Sequence, residues 1–289
     1  MTEMLGLASM AELPAVVVDC QRAGPATGMP SRTEQSDLDH AIFGGTATSR
    51  APVLGVFDVV HAREAMHKAF HVAETWQLPV IVLSDAYIAQ RRQIRDAVVS
   101  LAEPPRRQCG RPATAPRASS SGSSTASRRS ACQAPRVAPH LAAGIEHTPE
   151  GFPTADTALH EQMNAKRFHK LDAVAQATAD WYRVLGDTRA PLGIIAWGSQ
   201  HGLLREWVRD HPAYTAFLPE ILHPFPIAAL RAWLAERQWA CVLELSFQGQ
   251  FHRYLGGMLD LAQVPSIKRS GGVPLGRLEL ERMLVEVKP

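Results

Sequence analysis

Cysteine is scarce. Four residues, Cys20, Cys109, Cys132 and Cys241, are too few and too scattered for a disulfide framework. No CxxC spacing occurs, so the sequence supplies no zinc ribbon and no iron–sulfur ligand set of its own. Long apolar runs are also missing. Runs such as Ala15 to Val18 and Val80 to Leu83 are strand-sized, which argues against any span of a membrane. The N-terminus carries Glu3 and Glu12 and has no basic stretch ahead of an apolar core, so no signal peptide is read. These absences lead to the expectation of a cytoplasmic protein.

What is present fits a globular chain of about two domains. Apolar residues make up 46% of the 289 and charged residues 20%. The net charge of +2 argues neither for nor against nucleic acid, but it is unevenly spread. Pro104 to His140 carries seven Arg and no acid, a local +7 that leaves −5 for the rest of the chain. Ser119-Ser120-Ser121-Gly122-Ser123-Ser124 lies at its centre. Such a stretch cannot bury enough apolar area to offset its ordering entropy. It reads as a disordered basic linker over 104–141, between folded parts at 1–103 and 142–289. It has no aromatic residue to stack bases, so nucleic acid is not expected as a partner.

In the first part, Leu5, Leu7 and Met10 fit one apolar helix face that Pro14 closes. Ala15 to Cys20 reads as a buried parallel strand, β-branched and without alternation. Pro52 to Val56 and Pro79 to Asp85 read as further strands. Ala62 to Gln77 reads as an amphipathic helix striped by Ala65, Met66, Phe70, Val72, Ala73 and Trp76. In the second part the expected elements are a helix over Thr157 to Leu171, a strand over Leu192 to Trp197 and a helix over Gln200 to Arg209. A strand over Ala240 to Leu245 and a helix over Gln248 to Leu261 follow. Strands alternating with helices give an α/β fold with parallel sheets.

The densest chemical signal is the loop from Gln21 to Ser31. It leaves the C-terminal end of a parallel strand, where open α/β sheets place their ligands. Gly24, Pro25, Gly28 and Pro30 fix its path, Arg22 opens it, and Thr27 and Ser31 bring hydroxyls. Arg presents a planar fork suited to a carboxylate or phosphate. The residues alone support equally an anion clamp for a small acid and a structural turn with a solvated Arg.

The stretch Met10 to Val18, running into Gln21-Arg22-x-Gly24-Pro25-x-Thr27-Gly28-x-Pro30, resembles the alpha subunit of 2-oxoacid:ferredoxin oxidoreductases, above all the 2-oxoglutarate (2-ketoglutarate) type. The resemblance continues through Thr33 to Leu38, Pro79 to Asp85, Gly144 to His147, His160-Glu161 and Lys166-Arg167. It ends with Pro224 to Pro226, Glu244, Gly249-Gln250 and Ser270 to Gly272. It implies a partial pyrimidine-side thiamine-diphosphate-binding domain followed by a transketolase C-terminal-like α/β domain. It also implies a heterodimer with a beta subunit that holds most of the thiamine diphosphate, its Mg²⁺ and an iron–sulfur cluster. The implied reaction converts 2-oxoglutarate and coenzyme A (CoA) to succinyl-CoA and CO₂, with ferredoxin accepting the electrons. Pyruvate or a branched-chain 2-oxoacid is the alternative substrate. Arg22 and Ser31 match the positions that bind the oxoacid carboxylate, with Ser31 standing where the family has Thr; Gly24, Thr27 and Gly28 shape the pocket. Two departures accompany the match. The family's domain begins upstream of Met1, with a Tyr-Pro-Ile-Thr-Pro motif and a cofactor-contacting Glu that this sequence lacks. The family carries a more ordinary segment where residues 107–140 lie here, and the Arg, Ala, Pro and Ser enrichment of this chain is what a frame-disturbed gene would produce. An inactive alpha-subunit fragment is therefore the third alternative.

Other candidates are weaker. His67 and His71 stand at i, i+4 on a helix but have no third ligand. His160-Glu161 opens like a zincin helix, yet Asn164 occupies the second His position. Ser199 reads as a plain N-cap. Glu244 and Gln250 read as hydrogen-bonding groups between subunits.

Overall fold

The computed structural model describes residues 2–45, 49–94, 143–148 and 151–288. The expected basic linker lies outside the described residues. Helix α1 (Thr2–Met10) precedes β1 (Ala15–Gln21), α2 (Leu38–Phe43), β2 (Val53–Gly55), α3 (Val59–Trp76), β3 (Pro79–Asp85) and α4 (Ala86–Gln90). Next come α5 (Thr157–Ala177), β4 (Tyr182–Gly186), β5 (Leu192–Ile195), α6 (Gln200–Asp210), β6 (Tyr214–Pro219) and β7 (Ile221–His223). Then α7 (Ile227–Ala235), β8 (Trp239–Glu244), α8 (Gln250–Gly256), β9 (Ser266–Lys268) and α9 (Arg277–Val287) complete the fold.

The strands form two sheets. The first has the order β1-β3-β2-β7, and the second β4-β6-β5-β8-β9. β1 and β3 pair in parallel from Ala15–Pro79 to Gln21–Asp85, with β2 parallel on the far side of β3. All seven residues of β3 are buried, which is why its sequence shows no polar alternation. β7 adds to β2 antiparallel, so the first sheet takes its fourth strand from beyond residue 142. The second sheet is also mixed: β6, β5, β8 and β9 run parallel and β4 antiparallel. The α/β class is thus as expected, but neither sheet is purely parallel.

One apolar cluster draws on both sheets. It packs Val53, Ile81 and Leu83 with Ile195, Trp197, Phe217, Leu222, Val242 and Phe251. Fully burying each large apolar side chain contributes about 1.5–3 kcal/mol. Polar pairs reinforce the joint. Lys166 and Lys170 on α5 reach Glu12 at 2.6 and 2.7 Å. Burial alone would raise the Glu12 pKa, but the two ammonium groups outweigh it and hold it at about 2.

Several local readings are corrected. Helix α3 starts three residues before the expected Ala62, because the Asp58 side chain accepts from the His61 N–H at 2.8 Å and caps it. Ala65, Ala69, Val72 and Ala73 form its buried stripe, whereas Phe70 is exposed. In α1 the buried residue is Ala8, and Leu7 is exposed. Ser199 occupies the N-cap position of α6 without a capping hydrogen bond from its side chain. Helix α8 ends at Gly256, short of the expected Leu261, where the pair Gly256-Gly257 disfavours helix.

Candidate functional site

The loop after β1 is a compact, self-bonded turn. The Ala23 N–H donates to Arg32 O at 3.0 Å, and the Met29 N–H donates to Ala23 O at 2.9 Å. The first of these closes the neck, so Arg22 and Ser31 flank the same end of the loop. Thr27 lies on the far turn, between Ala26 (φ 50°) and Gly28 (φ 50°). Gly28 is obligatory: a Cβ there would stand 1.9 Å from Ala23 O. Gly24 has open space around its Cβ position, and the Gly24–Pro25 bond is cis. Ser31 holds φ 59°, a left-handed conformation that non-glycine residues seldom adopt. Arg22, Thr27 and Ser31 are all exposed. Among the described residues no carboxylate stands within ion-pair distance of the Arg22 guanidinium.

Three glutamines seat this loop. The Gln21 side chain donates to Ser84 O at 3.1 Å and accepts from the Asp37 N–H at 3.1 Å, joining the ends of β1 and β3 to the start of α2. Gln35 bonds to Trp197 and Leu245 at the ends of β5 and β8. Gln250 accepts from the Asp39 N–H at 3.0 Å and donates to Ser36 O at 2.8 Å. Gly272 closes the side, where an added Cβ would come within 2.7 Å of Arg32 Cβ. Sequence reasoning missed Gln21 and Gln35 as supports, because an amide between polar neighbours carries no periodic signal. The two strand ends and the loop therefore meet at one place, built from both sheets.

The loop's surroundings are acidic and partly dry. Burial raises the pKa of Asp37, against the pull of His40 and Arg22. Burial and then Asp37 raise Glu34, against the Gly24 N–H and Arg269. Burial and Asp37 likewise raise Asp19, against His40. Arg22 thus stands as an exposed cation beside carboxyl groups that burial inclines toward their neutral forms.

The remaining candidates lie elsewhere. His67 and His71 sit on α3, away from the loop in sequence, and His71 is exposed. Among the described residues no group of three His, Cys, Asp or Glu side chains is placed to hold a metal. His160 pairs with Glu146 at 2.5 Å, and Arg167 joins the same carboxylate at 2.9 Å, so this motif ties α5 to the 144–147 segment. The between-subunit reading of Glu244 and Gln250 is corrected, since both make hydrogen bonds inside the chain. The Glu244 carboxylate accepts the Phe251 and His252 N–H groups at 2.9 and 3.0 Å, at the N-terminus of α8. Among the described residues no helix is long and apolar enough to cross a membrane.

The chain resembles known proteins in sequence and in structure. The family model described as the thiamine-diphosphate-binding part of pyruvate flavodoxin/ferredoxin oxidoreductase matches residues 1–166. The 2-oxoacid:ferredoxin oxidoreductase 2 alpha subunit of Aeropyrum pernix is 31% identical over 97% of this chain and 45% of its own length. The 2-oxoglutarate oxidoreductase subunit KorA of Mycobacterium tuberculosis is 31% identical over 98% of this chain and 44% of its own length. A solved structure of 2-oxoglutarate:ferredoxin oxidoreductase from Magnetococcus marinus, with 2-oxoglutarate, coenzyme A and succinyl-CoA bound, superposes with a TM-score of 0.81. It is 32% identical and is matched over 99% of this chain and 51% of that one. This chain therefore spans about half the length of these relatives. With more than half of its residues covered by the family model, the chain belongs to the pyruvate flavodoxin/ferredoxin oxidoreductase family, in its thiamine-diphosphate-binding part.

Proposed function

We propose that this chain is the alpha-subunit part of a 2-oxoacid:ferredoxin oxidoreductase and that its β1 loop grips the oxoacid carboxylate. The observation that carries this is the closed loop neck with Arg22 and Ser31 exposed beside it and no ion-pair partner taken by Arg22 among the described residues. A guanidinium left without an ion pair at the end of a parallel strand pair is suited to a carboxylate, and such a charge-assisted contact contributes roughly 1.5–3 kcal/mol. Arg22 would hold the carboxylate, Ser31 would donate a hydroxyl to it, and Gly24, Thr27 and Gly28 would shape the seat. The name of the Mycobacterium protein and the ligands bound in the Magnetococcus structure favour 2-oxoglutarate as substrate, with CoA as co-substrate and succinyl-CoA as product, CO₂ being the remaining product of the proposed reaction.

Thiamine diphosphate, when bound in such a complex, supplies the cleavage of the carbon–carbon bond. The described residues supply at most part of a hold on it. The buried carboxyls around the loop serve the chain itself: Glu34 takes the Gly24 N–H, Asp85 takes the Ile88 N–H at the start of α4, and Glu244 takes the first amides of α8. We assign most of the hold on the cofactor, with its Mg²⁺ and the iron–sulfur cluster, to a beta subunit, and ferredoxin to the role of acceptor.

The test is co-expression with the neighbouring beta subunit, followed by 2-oxoglutarate- and CoA-dependent reduction of a viologen dye. Arg22→Ala should raise KM for the oxoacid about 10- to 100-fold. An unchanged KM would sink the clamp, and a preference for pyruvate would overturn the choice of oxoacid.

A further inference from the structure

We propose that Gln35 is the positioning residue of this loop: its carboxamide locks the loop's exit to the second sheet and so sets where Arg22 meets a substrate carboxylate. The idea rests on the clamp reading above and names what holds the clamp in place.

Gln35 is 1% exposed and lies three residues beyond the neck. Its Nε2 donates to Trp197 O at 2.8 Å, and its Oε1 accepts from the Leu245 N–H at 2.8 Å. Its own backbone N–H donates to Leu245 O at 2.6 Å. Trp197 and Leu245 stand just beyond the C-terminal ends of β5 and β8, which are paired neighbours. One strand end offers a carbonyl and the other an amide. Only a side chain with both a donor and an acceptor satisfies the two at once. Glutamate lacks the donor, and an apolar side chain leaves both groups buried and unpaired.

The fit is close. Gly198 follows Trp197 with φ 66°, and a Cβ there would stand 2.6 Å from Gln35 Nε2. From Gln35 the link to Arg22 is one residue long: Ser36 Oγ donates to Arg22 O at 3.0 Å. Gln250 fixes the same residue from the other side, through Ser36 O. The backbone of Arg22 is thus held, through Ser36 and Gln35, by a sheet to which it does not belong. Positional shifts of about 1 Å at a distance from the chemistry can cost about 100-fold in rate or binding.

The distal carboxylate of 2-oxoglutarate survives the reaction and is held in ground and transition states alike, so a residue acting through a grip on it changes KM and spares kcat. A purely structural role lowers the active fraction and leaves KM unmoved. The experiment compares Gln35→Met, Ser36→Ala, Arg22→Ala and the Arg22→Ala/Gln35→Met double variant in the complex with the beta subunit. Hydrogen exchange of the loop peptide over 22–32 is followed in each. We expect Gln35→Met to raise KM for 2-oxoglutarate about 10-fold or more with kcat within about threefold. The surface change Ser36→Ala should move KM the same way by about 2- to 5-fold, which covers the case in which Gln35→Met does not fold. In the double variant the Gln35 change should add less than about twofold to the Arg22 effect, as expected for two residues in one chain of action. Loop amides should exchange faster in Gln35→Met while those of β3 do not. A fall in kcat at constant KM, full additivity with Arg22→Ala, or unaltered loop exchange would each overturn the proposal. If Arg22→Ala leaves KM unchanged, the clamp reading falls alone, and the loop exchange then decides whether Gln35 positions the loop.

Discussion

Arg183 Nε donates to Glu220 Oε1 at 2.8 Å, tying β4 to the turn between β6 and β7. Lys68 on α3 grips the other oxygen of the same carboxylate, and His61 Nε2 stands 3.6 Å away. Beside them Phe57 stacks between the rings of His61 and His201, at 4.4 and 5.2 Å between centroids. This cluster joins α3 of the first sheet to α6 and β4 of the second.

Its titration makes the fold acid-sensitive. Burial would raise the Glu220 pKa, but His61 and Lys68 outweigh it and hold the carboxyl well below the usual range. Burial pushes His201 down to about 4, against the opposing charge of Asp58. Below pH 6.5 the unfolded His201 takes up a proton that the folded one refuses until about pH 4, so stability falls across that window. The Glu220 contribution is present above the ordinary carboxylate range and is lost as pH falls further. Thermal melts from pH 8 to pH 4 should show Tm dropping by several degrees, with a shallower drop in His201→Asn. His223, also held near 4 by burial, should leave part of the slope. An identical slope in His201→Asn would refute the assignment.

The two loop glycines should behave differently. Gly28→Ala forces a Cβ into Ala23 O at a positive φ, so the loop must reopen at its neck. KM for the oxoacid should rise and stability should fall by about 1–3 kcal/mol. Gly24→Ala meets nothing closer than 4.0 Å and should stay within about 0.5 kcal/mol of the parent. Equal effects of the two substitutions in a denaturant titration would contradict this geometry.

Glu244 should be a structural residue. Burial raises its pKa, while the Phe251 and His252 amides at the start of α8 favour its charged form. Glu244→Ala leaves those two donors without their acceptor inside the chain, a loss of about 2–3 kcal/mol. The variant should melt several degrees lower, with KM for the oxoacid unmoved in any protein that remains folded. A raised KM at unchanged Tm would place Glu244 in the site instead.

Burial alone did not decide which strands were legible: β3 is wholly buried and reads as a strand, while β6, buried apart from its first residue, does not. β3 shows as a β-branched run because both its faces are covered; β1 reads alike in sequence, yet only Gln21 is buried and Val18 and Cys20 are exposed, so the expected buried strand is corrected. β4 hides because its residues are half-buried and Arg183 interrupts the run. β7 and β9 are three residues long, too short for any period to register. The loop after β1 was visible through Arg22 and its glycines, which mark themselves by type. Gln21 and Gln35 were not, because their importance comes from partners 63 and 162 residues away. Glu244 was visible by type but misread, since its partners are the amides of the helix that follows it.

The pairing of β7 with β2 bears on the order in which this protein can be built. Val53 finds its partner in His223, so the pairing of β2 with β7 waits until residue 223 has left the ribosome. Closing so long a loop before any reward is slow, which puts the joining of the sheets late in folding. Until then β2 has a bare edge, open to pairing with other chains. Cutting the chain between the two sheets should therefore yield one piece with an incomplete sheet and another with an orphaned strand, rather than two folded halves.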